Sequence, residues 1–272
     1  MLTVHVIPAR FVLLGCIAIG MLPPANDSVH AATPQSSAYK PTVLITGSNR
    51  GIGLDFVRQL SARDWRIIAT ARTPDNAADL KALAGTDPDI LIETLDVTDD
   101  AEIAALKSKY QEHPIDILML NAATGPTGIF SFTNLDMDLA PRYFDVNAIG
   151  PMKVAQAFYE NVQASRMKQI YAMSSDSGSF VGGSQFPILW HYKASKAALN
   201  MYFHTLAFAA PKRGVTVVML HPGFVASNPQ TARLPGAIPT EDSVSQMLVV
   251  MDAITRENNG RFVSYLGETM PW

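Results

Sequence analysis

Past Pro41 the chain alternates between short apolar runs rich in β-branched residues and longer stretches whose apolar positions recur every three or four residues. Residues 42–46 read as a strand, and Ile52, Phe56, Val57 and Leu60 then share one stripe of a helix over 52–62. Residues 66–70 form a second strand, followed by a polar, Ala-rich helix over 75–84. The alternation continues with strand 90–95, helix 99–110 and strand 115–120. One long helix is expected over 138–164. Pro141 lies near its first turn, where a missing N–H costs little, but Pro151 falls inside it and is expected to kink it. Strand 169–173, helix 192–210, strand 215–220, helix 241–255 and strand 262–265 complete the series. Strands separated by helices imply a parallel sheet covered on both faces. With right-handed crossovers this is a doubly wound, Rossmann-like α/β architecture, here a single domain over 41–272.

The composition fits that reading and narrows the chemistry. Hydrophobic residues make up 48% and charged residues 17%, as in a globular domain. A formal charge of −3 with no dense basic run argues against nucleic acid as a partner. The only cysteine, Cys16, precludes an internal disulfide, and no Cys/His cluster has metal-ligand spacing, so no metal is expected.

The first forty residues follow a different pattern. A weakly basic start precedes an unbroken apolar run from Phe11 to Leu22, which Pro23 and Pro24 stop. Val29-His30-Ala31 then offers small residues for cleavage before Ala32. Residues 1–31 are therefore expected to be a signal segment and 32–40 a polar linker. The run is short for a membrane span, which needs about 20 apolar residues, so membrane contact is expected only if the segment stays uncleaved. Leu14-Gly15-Cys16 has a weak likeness to a lipoprotein cleavage site. Localisation stays open between export to the periplasm or beyond and a cytoplasmic enzyme whose start codon lies further downstream.

Chemistry concentrates at the ends of the predicted strands. Gly47-Ser48-Asn49-Arg50-Gly51-Ile52-Gly53 joins the first strand to the first helix. Glycines there permit a tight turn, let the backbone approach a pyrophosphate and allow close helix–strand packing, while the helix N-terminus offers N–H groups to phosphate. The acid that usually holds a ribose 2′-hydroxyl after the second strand is replaced by Ala71. Arg50 and Arg72 suit a 2′-phosphate instead, so the expected cofactor is NADP(H). Asp96-Val97 ends the third strand, with a carboxylate suited to an adenine amino group, and Asn121-Ala122 ends the fourth, where small residues let the chain lie along a ribose.

Tyr192 and Lys196 stand four residues apart at the start of a helix, on one face. A neighbouring ammonium is expected to lower the tyrosine's proton affinity toward the working pH, suiting it to proton transfer with a carbonyl or alcohol oxygen. Ser175, at the end of the fifth strand, faces the ligand crevice of such a sheet and can hydrogen-bond that oxygen. Ser174, Ser177 and Ser179 read as turn residues. Asn147 is a polar amide among apolar helical neighbours, expected either to hold a water leading to Lys196 or simply to be satisfied in the interior.

Together these segments resemble the short-chain dehydrogenase/reductase family over about residues 41–272, and more narrowly its C-factor and sniffer-type carbonyl reductase branch. The likeness is carried by residues 45–54, Asp145-Val146-Asn147-Ala148-Ile149-Gly150-Pro151, Tyr192-Lys193-Ala194-Ser195-Lys196 with the four residues after it, and the ending 267–272. It implies Asn147, Ser175, Tyr192 and Lys196 as a catalytic tetrad, with Tyr192 and Lys196 also at the cofactor and Lys196 on the nicotinamide ribose. It further implies Pro222, Gly223 and Val225 as the turn passing the nicotinamide, a small carbonyl or alcohol substrate, and homodimerisation through long helices in some members. Ser175 is chosen over Ser174 because Gly178 follows three residues later. The chain departs from the family at Ala123, where glycine is usual and the ribose is more crowded, and in a longer interval between Ser175 and Tyr192. That interval holds an apolar loop, 185–191. With Phe186, Leu189, Trp190 and Phe224, it suggests an apolar substrate. The expected function is NADPH-dependent reduction of an aldehyde or ketone. The alternative is an exported C-factor-like signalling or binding protein that keeps the cofactor fold.

Overall fold

Seven parallel strands form one sheet in the order β3-β2-β1-β4-β5-β6-β7, built from Thr42–Ile45 (β1), Arg66–Ala71 (β2), Ile90–Thr94 (β3), Ile117–Leu120 (β4), Gln169–Met173 (β5), Thr216–His221 (β6) and Phe262–Ser264 (β7). The structure is a computed structural model and describes residues 39–125, 131–183, 187–209, 214–229 and 231–272. The expected signal segment and linker lie outside the described residues except Tyr39 and Lys40, as do Gln185 and Phe186 of the apolar loop.

The central strands β1, β4 and β5 are buried at every position, which explains their continuous apolar sequence: a strand covered on both faces has no solvent side. Alternate residues feed two cores. Leu44, Leu118, Ile170 and Val217 pack on one face against Phe158 and Phe203. Val43, Ile45, Tyr171 and Val218 pack on the other against Phe56, Leu60 and Met247. Helices α1 (Gly51–Ser61), α2 (Ala78–Ala84), α3 (Asp100–Lys109), α4 (Ala140–Phe144), α5 (Gly150–Ala164), α6 (Trp190–Ala209) and α7 (Thr240–Asp252) form the outer layers. The sheet order reverses between β1 and β4, so a crevice opens at their C-terminal ends.

The single helix expected over 138–164 is corrected. A 3-10 turn, Met137–Leu139, leads into α4, and a π-helical turn, Asp145–Ile149, separates α4 from α5. Gly150 N–H reaches back to the Asp145 carbonyl, five residues away. Pro151 gives the physical reason: it has no N–H for the Asn147 carbonyl, so the regular ladder cannot run through this turn.

Candidate active site

The glycine turn is shaped by contact rather than by flexibility alone. Gly47 and Gly51 adopt positive φ of 72° and 57°, a region costly for residues with a Cβ. A Cβ on Gly53 would stand 2.2 Å from the Gly47 carbonyl oxygen and 2.7 Å from Asn121 Nδ2. Asn121 crosses from the end of β4 to hold the turn, its Nδ2 donating to the carbonyls of Thr46 and Gly47, both at 3.0 Å. Thr46 Oγ1 accepts the N–H groups of Asn121 and Ala122, each at 3.0 Å. Ala122 lies against Gly47. Ser48 is fully buried, donating its hydroxyl to the Ile45 carbonyl and its N–H to the Thr70 carbonyl, so it shapes the turn from within. Asn49 and Arg50 are exposed at the lip, and Ile52 is half-buried at the start of α1.

Beyond β2 a polar cleft of about 620 Å³ is lined by Arg72, Thr73, Asp96, Thr98, Asp99 and Glu102. The Asp96 carboxylate accepts from the Thr98 N–H at 2.9 Å and the Thr98 hydroxyl at 2.7 Å. Burial opposes its ionisation, but those bonds and the Arg72 charge hold its pKa below the usual range. Asp96 Oδ1 is thus already engaged within the chain. Val97 packs on the turn between α4 and α5; a Cβ on Gly150 would meet Val97 Cγ2 at 2.8 Å.

At the C-terminal end of β5, the Ser175 side chain lies beside the Tyr192 hydroxyl. Lys196, one turn along α6, is buried, donates to the Met173 carbonyl at 2.8 Å and holds its ammonium 5.8 Å from the centroid of the Tyr192 ring. Burial brings the Lys196 pKa down to about 8. It pushes the Tyr192 pKa up, opposed by the Ser175 side chain and reinforced by the Asp176 charge. Burial is the largest influence on both groups and favours the neutral hydroxyl. Gly178 lets this loop press on α6, since a Cβ there would lie 2.8 Å from the Lys196 carbonyl carbon.

Asn147 sits fully buried in the π-helical turn. Its Nδ2 donates to the Thr124 carbonyl and to Ser195 Oγ, both at 3.0 Å, and its Oδ1 accepts the Thr124 N–H at 2.8 Å. Ser195 Oγ donates in turn to the Tyr192 carbonyl at 2.8 Å. The amide therefore ties the segment after β4 to the start of α6, and reaches the tyrosine through Ser195 rather than directly. Pro222 and Gly223, with φ of 85°, turn the chain after β6; Val225 is buried and pairs with Ile238. Their loop returns to the glycine turn, where a Cβ on Gly51 would meet the Ser227 carbonyl oxygen at 3.0 Å.

Sequence reasoning missed Thr46, Thr124 and Ser195, whose hydroxyl or backbone contacts fix the residues it did find. Ser195 left a signal, lying inside the Tyr192–Lys196 interval, as did Thr46, directly before the glycine turn. Of the proposed apolar mouth, Trp190 stacks obliquely near Phe132, with centroids 6.1 Å apart, and Phe224 is 48% exposed. Leu189, with φ of 60°, carries backbone strain just ahead of α6.

The family model for short chain dehydrogenases matches residues 41–236. An uncharacterized oxidoreductase of Schizosaccharomyces pombe is 34% identical, the match covering 84% of this chain and 96% of the relative. The C-signal of Myxococcus xanthus is 32% identical over 58% of this chain and 93% of its own length. The NADPH-bound carbonyl reductase from chicken fatty liver superposes with a TM-score of 0.77 at 28% identity, covering 86% of this chain and 99% of that one. The matched region contains β1 through β6, the glycine turn and the Ser175–Tyr192–Lys196 group, and the chain belongs to the short-chain dehydrogenase family of oxidoreductases.

Proposed function

We propose that the protein reduces aldehydes or ketones with NADPH. The observation that carries this is the adjacency of Ser175, the Tyr192 hydroxyl and the buried Lys196 ammonium at the open end of a glycine-lined crevice. The turn suits a dinucleotide: a Cβ at Gly47, Gly51 or Gly53 would meet Ala122, the Ser227 carbonyl or the Gly47 carbonyl, so only glycine lets the chain close tightly ahead of the α1 N-terminus, whose N–H groups suit phosphate. Arg50 and Arg72 are exposed where a 2′-phosphate would need positive charge. Asn121, Ala122, Val97 and the Pro222–Val225 turn would form its walls, with Asp96 at the adenine end. When bound, NADPH supplies the hydride.

The side chains of this chain do the rest. Ser175 donates to the substrate oxygen and fixes its position. Tyr192, held protonated by burial, passes its hydroxyl proton to that oxygen as negative charge develops there. The phenolate left behind is stabilised by the Lys196 ammonium. Asn147 braces the start of α6 through Ser195. Its backbone carbonyl, to which Pro151 cannot donate, suits a water that returns a proton towards Lys196. The test is loss of NADPH absorbance with a panel of aldehydes, ketones and quinones. Carbonyl-dependent loss is expected; no loss with any of them contradicts the proposal.

The likeness to C-signal favours a second reading, an exported signalling or binding protein. It predicts no nucleotide affinity together with an effect on cells. Export itself is tested by sequencing the mature N-terminus: a start near Ala32 supports it, and a start near Met1 or near Lys40 in the cytoplasm opposes it.

A further inference from the structure

Asp176 directly follows Ser175, and the proposed reduction makes no use of it. Ser175 Oγ donates to Asp176 Oδ1 at 3.0 Å, and the Ser177 hydroxyl lies 3.5 Å from the same oxygen. The Asp176 N–H donates to His221 Nδ1 at 3.2 Å, a bond that nitrogen accepts only while unprotonated. His221 is therefore neutral in this arrangement, and burial lowers its pKa. The Lys196 ammonium is turned to the Met173 carbonyl. Among the described residues no lysine or arginine forms an ion pair with Asp176. A half-buried carboxylate thus stands beside the proposed substrate-binding serine with no partner cation among the described residues.

We propose that Asp176 sets substrate charge: the site accepts neutral or cationic carbonyl compounds and rejects those with a carboxylate on the carbon next to the carbonyl. This rests on the reductase reading above. A substrate oxygen that takes the Ser175 hydroxyl proton displaces Asp176 Oδ1 as its acceptor, and the carboxylate, 3.0 Å from Ser175 Oγ, is left roughly 5 Å from that oxygen. A neighbouring carboxylate on the substrate enters the same partly desolvated space, where like charges repel far more than in water. An ester of the same acid keeps the carbon skeleton and the reacting carbonyl but carries no charge, and an amino ketone brings a cation to Asp176. In each case hydride from NADPH and the Tyr192 proton convert C=O to CH–OH, so only the neighbouring group differs.

The experiment measures kcat/KM of the full chain with NADPH and a 2-oxo acid, its ethyl ester and an amino ketone of similar size. The wild type is expected to favour the ester and the amino ketone over the acid by at least about tenfold, the scale of one like-charge contact near a protein surface. Asp176→Asn, of the same shape without the charge, is expected to narrow the acid-to-ester gap by at least about tenfold, while Asp176→Glu keeps it. A wild type that reduces the acid as well as the ester overturns the proposal even if the Asn variant does not fold, and so does a gap unchanged in Asp176→Asn. A wild type that reduces no carbonyl compound at all overturns the reductase reading, and this inference with it.

Discussion

Burial holds the Lys196 ammonium against the Met173 carbonyl and away from water, bringing its pKa from 10.5 to about 8. The unfolded chain keeps that proton up to its ordinary pKa, whereas the folded chain releases it from about 8. Across the window from about 8 to 10.5 the unfolded state therefore binds more protons, and stability rises with pH. Thermal denaturation without nucleotide should show the wild type gaining stability relative to Lys196→Met across that window, with a constant difference below it. Parallel curves throughout would mean that the amine is not desolvated. Arg72 gives a second prediction at this scale. Losing a charged contact to a 2′-phosphate costs about 1.5–3 kcal/mol, so Arg72→Ala should weaken NADPH binding roughly 10- to 100-fold and leave NADH nearly unchanged. Equal losses for both nucleotides would remove Arg72 from the phosphate site. The meeting of Tyr192, Lys196 and Ser175 was legible in the sequence because helical spacing and strand-end position are local properties. Thr46 and Thr124 were not, because their partners lie on other elements, and Ser195 lies inside the motif but meets Asn147 from across the fold. Ser48 was read as part of the nucleotide cradle, but its side chain is turned into the fold.

At the scale of elements, the π-helical turn places Asn147. Pro151→Ala would supply an N–H to the Asn147 carbonyl and favour a regular helix through 145–150. The variant is expected to melt no lower than the wild type and to turn over at least about tenfold more slowly, as a misplaced supporting group commonly costs. Unchanged turnover would separate the π-turn from catalysis. The glycine turn is less forgiving: Gly53→Ala must displace the Gly47 carbonyl or Asn121, an overpacking worth about 1–3 kcal/mol. Nucleotide binding should fall along with stability in a denaturation series, and a variant with unaltered binding would contradict the close approach. The strands were readable to within two residues, since each is a short apolar run bounded by turn residues. The helix over 138–164 was not, because apolar periodicity continues through a π-turn while the hydrogen-bond pattern changes. Pro151 signals an irregularity in this helix; the structure gives it the form of a π-helical turn, with Gly150 packed on Val97.

Across the whole molecule, the sheet order puts the glycine turn after β1, Asn121 after β4, Ser175 after β5 and the Pro222 turn after β6 along one edge. α6 then carries Tyr192 and Lys196 to that edge, and Asn121, Asn147 and Ser195 join the segments across it. Parallel β-α alternation was enough to predict this edge, because every right-handed crossover returns the chain in the same sense. The pairing of Asp176 with Ser175 and His221 depends on how the loops close and was not predicted. The central claim is that Tyr192 is the proton donor of a carbonyl reduction, and the most direct measurement is NADPH turnover beside NADPH binding in wild type and Tyr192→Phe. The account predicts turnover reduced roughly 100- to 10,000-fold, the usual contribution of a positioned acid, with NADPH affinity little changed. Turnover equal to that of the wild type would contradict it.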